Sequence, residues 1–185
     1  MDLRQQLAQH RPADDEEARD LERIRAFAAA HPHPFDRAIA AGHLTGSALV
    51  VSSDGARVLL LRHRKLQRWL QPGGHGDPGE SAGEAVALRE AREETGLEGL
   101  ALHPDAPRPL DVDVHDIPAR PGEPAHEHLD LRYLVVAPAG AAAPTLAADE
   151  ASDLRWFTWT EAEALDLDPG LRRSLAKARA FWPVR

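Results

Sequence analysis

Glu90, Glu93 and Glu94 stand at positions i, i+3 and i+4. On a helix turning by about 100° per residue they share one face. Like charges so placed repel by about 0.2–0.5 kcal/mol per pair. The last turn of a helix is itself negative, which costs an exposed anion about 0.3–1 kcal/mol. Either a solvated face tolerates that penalty, or the carboxylates hold a cation. Hard divalent ions such as Mg²⁺ take oxygen ligands and complete their shell with water and substrate phosphate. A glycine-rich run, Gly73-Gly74-His75-Gly76-Asp77-Pro78-Gly79, precedes the helix and ends at a further acid, Glu80. Glycine lets backbone approach such a site closely. Arg89, four residues before Glu93, can pair with it.

Other residues carry a choice of readings. Arg62, His63, Arg64, Lys65 and Arg68 form a basic stretch before the glycines. They are either a solvated strand end or contacts to a substrate phosphate, which arginine grips in bidentate fashion. His75 faces either the substrate or the loop it caps. His126 and His128, two apart, share one face of an extended strand. That spacing suits a zinc pair or ordinary polar surface residues. Trp156, Trp159, Phe27 and Phe35 read as core.

Composition narrows the field. The chain has 185 residues, 22 Lys plus Arg against 30 Asp plus Glu, and a formal net charge of −8. Such an acidic balance disfavours nucleic acid as a partner, because that binding rests on basic residues neutralising phosphates. There are no cysteines, which excludes a disulfide scaffold, a Cys-ligated zinc site and a thiol nucleophile. No apolar run approaches the roughly 20 residues that span a bilayer, and the N-terminus lacks the apolar core of a secretory signal. The chain reads as a cytoplasmic protein with no membrane partner.

The elements that must position the acids follow from periodicity. Asp14 to Glu17 precede Ala18, Leu21, Ile24, Phe27 and Ala28 at helical spacing, a helix start stabilised by its own dipole. Pro32 and Pro34 end it, and Phe35 to Ala41 is expected to form a further short helix. Ser47–Val51 and Val58–Leu61 read as strands joined through the turn signal Asp54-Gly55. Leu110, Val112 and Val114, then Leu129, Leu131, Tyr133 and Val135, alternate with polar residues as half-buried strands do. Leu154–Trp159 is a last strand. Capping boxes are expected at Ser81–Glu84 and Thr160–Glu163. Asp168-Pro169 reads as an N-cap with proline at the first helical position, opening a final helix. Gly96 closes the glutamate helix. Residues 137–148 are an Ala/Pro-rich loop. Strands interleaved with helices, without a strict βαβ rhythm, predict a mixed sheet between helices. Residues 1–43 are expected to be a helical N-terminal extension and 44–185 the main domain.

The string from Gly74 through Glu80 to Arg89-Glu90-Ala91-Arg92-Glu93-Glu94-Thr95-Gly96-Leu97 resembles the signature of the Nudix hydrolase superfamily, G-x5-E-x7-R-E-U-x-E-E-x-G-U with U aliphatic. Trp69-Leu70-Gln71-Pro72-Gly73-Gly74-His75 is similar to the strand leading into that signature. Asp149-Glu150 with Leu154-Arg155-Trp156-Phe157 is similar to a late strand. The resemblance covers roughly residues 45–165. Two departures stand out: eight residues rather than seven separate Glu80 from Arg89, and Ala91 replaces a larger aliphatic.

The resemblance implies an α/β/α sandwich of the Nudix type. It implies a hydrolase for a nucleoside diphosphate linked to another moiety, using Mg²⁺ or Mn²⁺. Its metal ligands would be Glu90, Glu93, Glu94 and the Gly73 carbonyl. Arg89, Glu90, Glu93 and Glu150 would be catalytic: Arg89 orients a glutamate, and Glu90 or Glu150 is the base. Arg62, Arg64 and His75 would meet the substrate. A homodimer is one arrangement the family leaves open. A catalytically silent, nucleotide-sensing domain is the alternative, and the intact glutamate triplet argues against it.

Overall fold

The computed structural model describes residues 1–120, 122, 124–146 and 151–182. Two helices lead in, α1 (Leu3–Gln9) and α2 (Asp15–Ala30). The strands β1 (Gly42–Val51), β2 (Arg57–His63), β3 (Trp69–Leu70) and β4 (Gly73–His75) follow. Helix α3 (Gly83–Thr95) precedes β5 (Ala101–Leu102), β6 (Asp111–Ile117), β7 (His126–Val136) and β8 (Ala151–Thr158). Helices α4 (Trp159–Glu163) and α5 (Pro169–Arg179) close the described chain.

One mixed sheet holds the strands. Its centre is β1 paired in parallel with β7 over ten residues, from Gly42 opposite Glu127 to Val51 opposite Val136. On its other edge β1 meets two antiparallel partners in turn. Thr45–Ser47 pair with β4, and Val50–Val51 pair with β2. Strand β2 carries β8 and β3, and β7 carries β6 and β5. Every residue of β1 is buried, as a parallel strand covered on both faces must be.

Alternation sorts the two faces. Leu44, Ala48 and Val50, with Leu129, Leu131, Tyr133 and Val135, enter a core with Val86, Ala87 and Ala91 of α3. Leu7, Leu21 and Ile24 of the lead-in helices join that same core. Leu49, Val51, Val58, Leu60 and Leu134 meet Leu171, Leu175 and Ala178 of α5 in the second core. This is the expected α/β/α sandwich, with helical N-terminal segments. Among the described residues no helix is long and apolar enough to cross a membrane.

Several local expectations are corrected. Residues 35–41 form successive turns rather than a helix; the Asp36 side chain accepts the Ala38 amide at 2.9 Å, an alternative to helical bonding. Ser81 does not cap α3. The helix starts at Gly83 after Ala82, with no side-chain cap; Gly83 itself packs against Tyr133, where an added Cβ would lie 2.7 Å from the hydroxyl. The second capping box uses Thr158 and Glu161 instead of Thr160 and Glu163. Both pairs fit the T-x-x-E pattern, and the pairing of Thr158 with Arg57 ends β8 at the earlier one. Trp159 therefore opens α4, and its ring nitrogen donates to the Gly55 carbonyl at 2.8 Å. The half-buried reading of β7 is also revised. Its polar residues Asp130 and Arg132 are buried, 4% and 3% exposed, because they bond to each other at 3.1 Å and to neighbouring strands. The N-cap of Asp168 and Pro169 forms as expected. Residues 137–146 hold no helix or strand, as the Ala/Pro-rich composition suggests; the end of that loop lies outside the described residues.

Candidate metal-binding active site

Helix α3 lies on β1 and β4 at short range, and two glycines permit it. A Cβ at Gly46 would fall 2.6 Å from the Gly83 carbonyl and 2.9 Å from Val86 Cβ. A Cβ at Gly74 would fall 2.5 Å from Glu90 Cδ and 2.6 and 2.7 Å from its two oxygens. The Glu90 carboxylate thus rests on the bare backbone of β4. One turn on, Glu94 Oε2 accepts the Gly73 amide at 2.9 Å. Glu93 points outward, 57% exposed. The helix ends at Gly96 in the left-handed conformation (φ 64°), whose amide bonds to the Arg92 carbonyl, as its place in the sequence predicts.

Arg89 organises the patch. Its guanidinium donates to Glu80 at 2.9 Å, Glu90 at 2.9 Å, Glu93 at 3.1 Å and the His75 carbonyl at 2.7 Å. Asp77 stands 3.5 Å away. The Arg89 hydrogen bond holds Glu80 below the usual carboxylate range. The same bonds, Glu80 first, raise the pKa of Arg89. Burial pushes Glu90 upward despite Arg89 beside it. The contact of Glu80 with Arg89 forms with eight residues between them. Gly79, just before Glu80, turns with φ 93°, and Glu80 also accepts the Asp77 amide at 2.8 Å.

The structure therefore brings Gly73, Glu80, Arg89, Glu90, Glu93 and Glu94 together on one side of β4. Their donors are carboxylate and carbonyl oxygens, a set that suits a hard divalent ion. The vacant Cβ position of Gly74 gives Glu90 room to serve it. His75 contributes its carbonyl to Arg89, while its ring meets His128 across the sheet, with Nε2 atoms 3.1 Å apart. Arg62 and Arg64 lie exposed at the end of β2 and in the turn to β3. Glu150, the other base candidate, lies outside the described residues.

Sequence reasoning missed a buried polar network on the opposite face. Asp130 accepts from Thr45 Oγ1 at 2.9 Å, Ser47 Oγ at 2.6 Å and Arg132 at 3.1 Å. Asp111 binds Arg173 at 2.8 Å, and Lys177 bonds to Glu17. The signal was present as Thr45-x-Ser47 beside Asp130-x-Arg132, polar pairs at strand spacing in otherwise apolar runs. Alternation alone assigns such positions to solvent.

Comparison with known proteins agrees with this geometry. The description "NUDIX domain" belongs to the family model that matches residues 43–178. The chain is similar to a Bacillus subtilis (strain 168) protein named "Putative 8-oxo-dGTP diphosphatase", 45% identical over 51 residues. That match spans 28% of this chain and 34% of that relative's length. Among solved structures, a C. elegans Ap4A hydrolase binary complex has a TM-score of 0.59 at 22% identity, covering 75% of this chain and 96% of the other. The NUDIX domain of Shewanella oneidensis NrtR, complexed with ADP ribose, has a TM-score of 0.57 at 19% identity, covering 84% and 96%. These two support the fold. With its glutamate helix, its glycine strand and a family match over most of its length, the chain belongs to the NUDIX domain family.

Proposed function

We propose that this protein hydrolyses the P–O–P linkage of a nucleoside diphosphate joined to another moiety, with Mg²⁺ or Mn²⁺ held by Glu90, Glu93, Glu94 and the Gly73 carbonyl. The observation that carries the reading is the convergence of the Glu90 and Glu94 carboxylates on the glycine backbone of β4, with Arg89 bonded to two further glutamates beside them. The similarities to proteins named for diphosphatase and Ap4A hydrolase activity support the same class.

A diphosphate repels nucleophiles through its own negative oxygens. A bound divalent ion supplies charge neutralisation at the phosphates and a more acidic water. The chain's own part is to position and to move a proton. Arg89 fixes the Glu90 carboxylate through its Nη1 hydrogen bond at 2.9 Å. A Glu90 Oε atom is the proposed acceptor of the proton from attacking water. Such a base contributes about 10²–10⁴-fold. Water oxygen bonds to phosphorus, the bridging oxygen leaves with its electron pair, and two phosphate-bearing products separate. Arg62 and Arg64 are the residues proposed to meet substrate phosphate. Residues 44–185 would carry the chemistry, and the 1–43 extension supports the sheet they stand on.

The test is a panel of nucleoside triphosphates, dinucleoside polyphosphates and diphosphate-linked sugars, with products identified by mass spectrometry. Cleavage of P–O–P with Mg²⁺ or Mn²⁺, abolished by EDTA, is the expected result. Nucleotide binding without turnover across the panel would overturn the proposal.

A further inference from the structure

A second donor set lies on the other face of the same strand, and it is made of nitrogen. Strand alternation turns Gly74 toward α3 and His75 away from it. On that far face, register places His43 of β1 beside His128 of β7. The rings of His43, His75, His126 and His128 pack as a group. Centroids lie 5.0 Å apart for His43–His75 and His43–His128, and 5.2 Å for His43–His126. They lie 4.8 Å apart for His75–His128 and 5.1 Å for His126–His128. Nε2 of His128 is 3.1 Å from Nε2 of His75 and 3.3 Å from Nε2 of His126. His43, His75 and His128 can each offer a ring nitrogen within 4.8 Å of the others.

Proton bookkeeping explains what this cluster lacks. Nδ1 of His126 lies 2.9 Å from the Pro124 carbonyl. A carbonyl only accepts, so the proton is on Nδ1, and Nε2 of His126 presents a lone pair to His128. Nε2 of His128 has either one proton or one lone pair, yet two nitrogens face it. A proton satisfies one of them. A lone pair leaves it facing the lone pair of His126. A cation in the middle satisfies all three.

We propose that His43, His75, His126 and His128 bind a divalent transition-metal ion of the Zn²⁺ class, separate from the carboxylate site on α3. The dimensions agree with this. Zinc–nitrogen bonds of about 2.0–2.1 Å in a tetrahedron put neighbouring donors about 3.3 Å apart and imidazole centroids about 5 Å apart. The bond from His126 to the Pro124 carbonyl is the outer-sphere contact that fixes a ligating imidazole's tautomer. A cleft of about 530 Å³, lined in part by Arg37, Ile39, His43, Pro124 and His126, gives access.

Imidazole nitrogen prefers Zn²⁺, Co²⁺, Ni²⁺ or Cu²⁺, whereas carboxylate and carbonyl oxygen suit Mg²⁺ and Mn²⁺. The two faces of β4 would thus sort two classes of metal. An ion at the histidines would also tie β4 to β1 and β7, and β4 carries Gly73 and Gly74.

The test uses the full chain, stripped with EDTA, incubated with Zn²⁺ or Co²⁺ in excess Mg²⁺, desalted and assayed for bound metal. One equivalent is expected to remain, with the visible Co²⁺ bands of a tetrahedral nitrogen site. It should remain in the Glu90→Gln/Glu94→Gln double variant. His128→Gln should retain less than a tenth of it, with circular dichroism checking the fold. His126→Asn serves as the second variant and should weaken binding at least tenfold. No retained metal in the native chain overturns the proposal. So does retention by both histidine variants, or loss confined to the glutamate variant.

Discussion

The Glu90 carboxylate occupies the space where a side chain at position 74 would begin, 2.5 Å from the site of the missing Cβ. Gly74 is thus a requirement of the acid on the facing helix and not of its own backbone. Gly74→Ala is expected to push Glu90 aside, because the obstructing group is the far end of a flexible side chain. Activity should fall about 10²-fold, the order that follows from a displacement of about 1 Å at a reacting centre, while Tm stays within a few degrees. Gly46→Ala provides the contrast. Its Cβ would meet helix backbone, so it should cost about 1–3 kcal/mol of stability as overpacking does. Parallel kinetics and thermal melts separate the two outcomes.

Arg89 donates to three glutamates and a backbone carbonyl from one planar group. Lysine has the charge but not the fork. Arg89→Lys is therefore expected to lower kcat about 10-fold or more with a smaller change in KM. A kcat equal to that of the native chain would show that the orientation of Glu90 does not depend on this bond.

These contacts show where the sequence was legible. Glu90, Glu93 and Glu94 could be placed on one face by helical period alone, and the 73–80 run announced a close approach of backbone. The role of Gly74 could be read as permissive, but its partner is fixed only once β4 meets α3. The Glu80–Arg89 contact depends on how the chain from Glu80 enters α3, which spacing does not express. The His43–His75–His128 group is harder still. Its members come from three strands, and only the parallel register of β1 with β7 brings His43 beside His128. The strands themselves were visible by alternation, but β3, β4 and β5, two or three residues each, fall below the length at which a period exists.

Glu17 links the lead-in helix to the C-terminal helix. It is fully buried, and burial alone would raise its pKa. Hydrogen bonds from His10, Lys177 and the Ala13 amide overcome that and bring it down to about 2. Since its folded pKa lies below the unfolded value, its stabilisation is complete above about pH 4.5 and is lost as pH falls toward 2. Glu17→Gln takes one of two carboxylates from Lys177, leaving Asp111 at 3.0 Å, and removes the charge to which His10 and the Ala13 amide bond, a loss of about 1–3 kcal/mol. Melts at neutral pH should show a clear drop in Tm. The native and variant curves should converge as pH is lowered from 4.5 to 2, and parallel curves through that window would contradict the assignment.

The most direct measurement is the Mg²⁺-dependent turnover of a cleaved panel substrate by Glu94→Gln. The substitution keeps the side-chain length and an oxygen for the Gly73 amide, but removes the charge. If the carboxylates hold the metal, the variant is folded, by circular dichroism and Tm, with turnover reduced by about 10³-fold or more, in line with the loss of a metal ion's charge stabilisation. Native turnover in that variant, at the same Mg²⁺ concentration, would contradict this role for the glutamates.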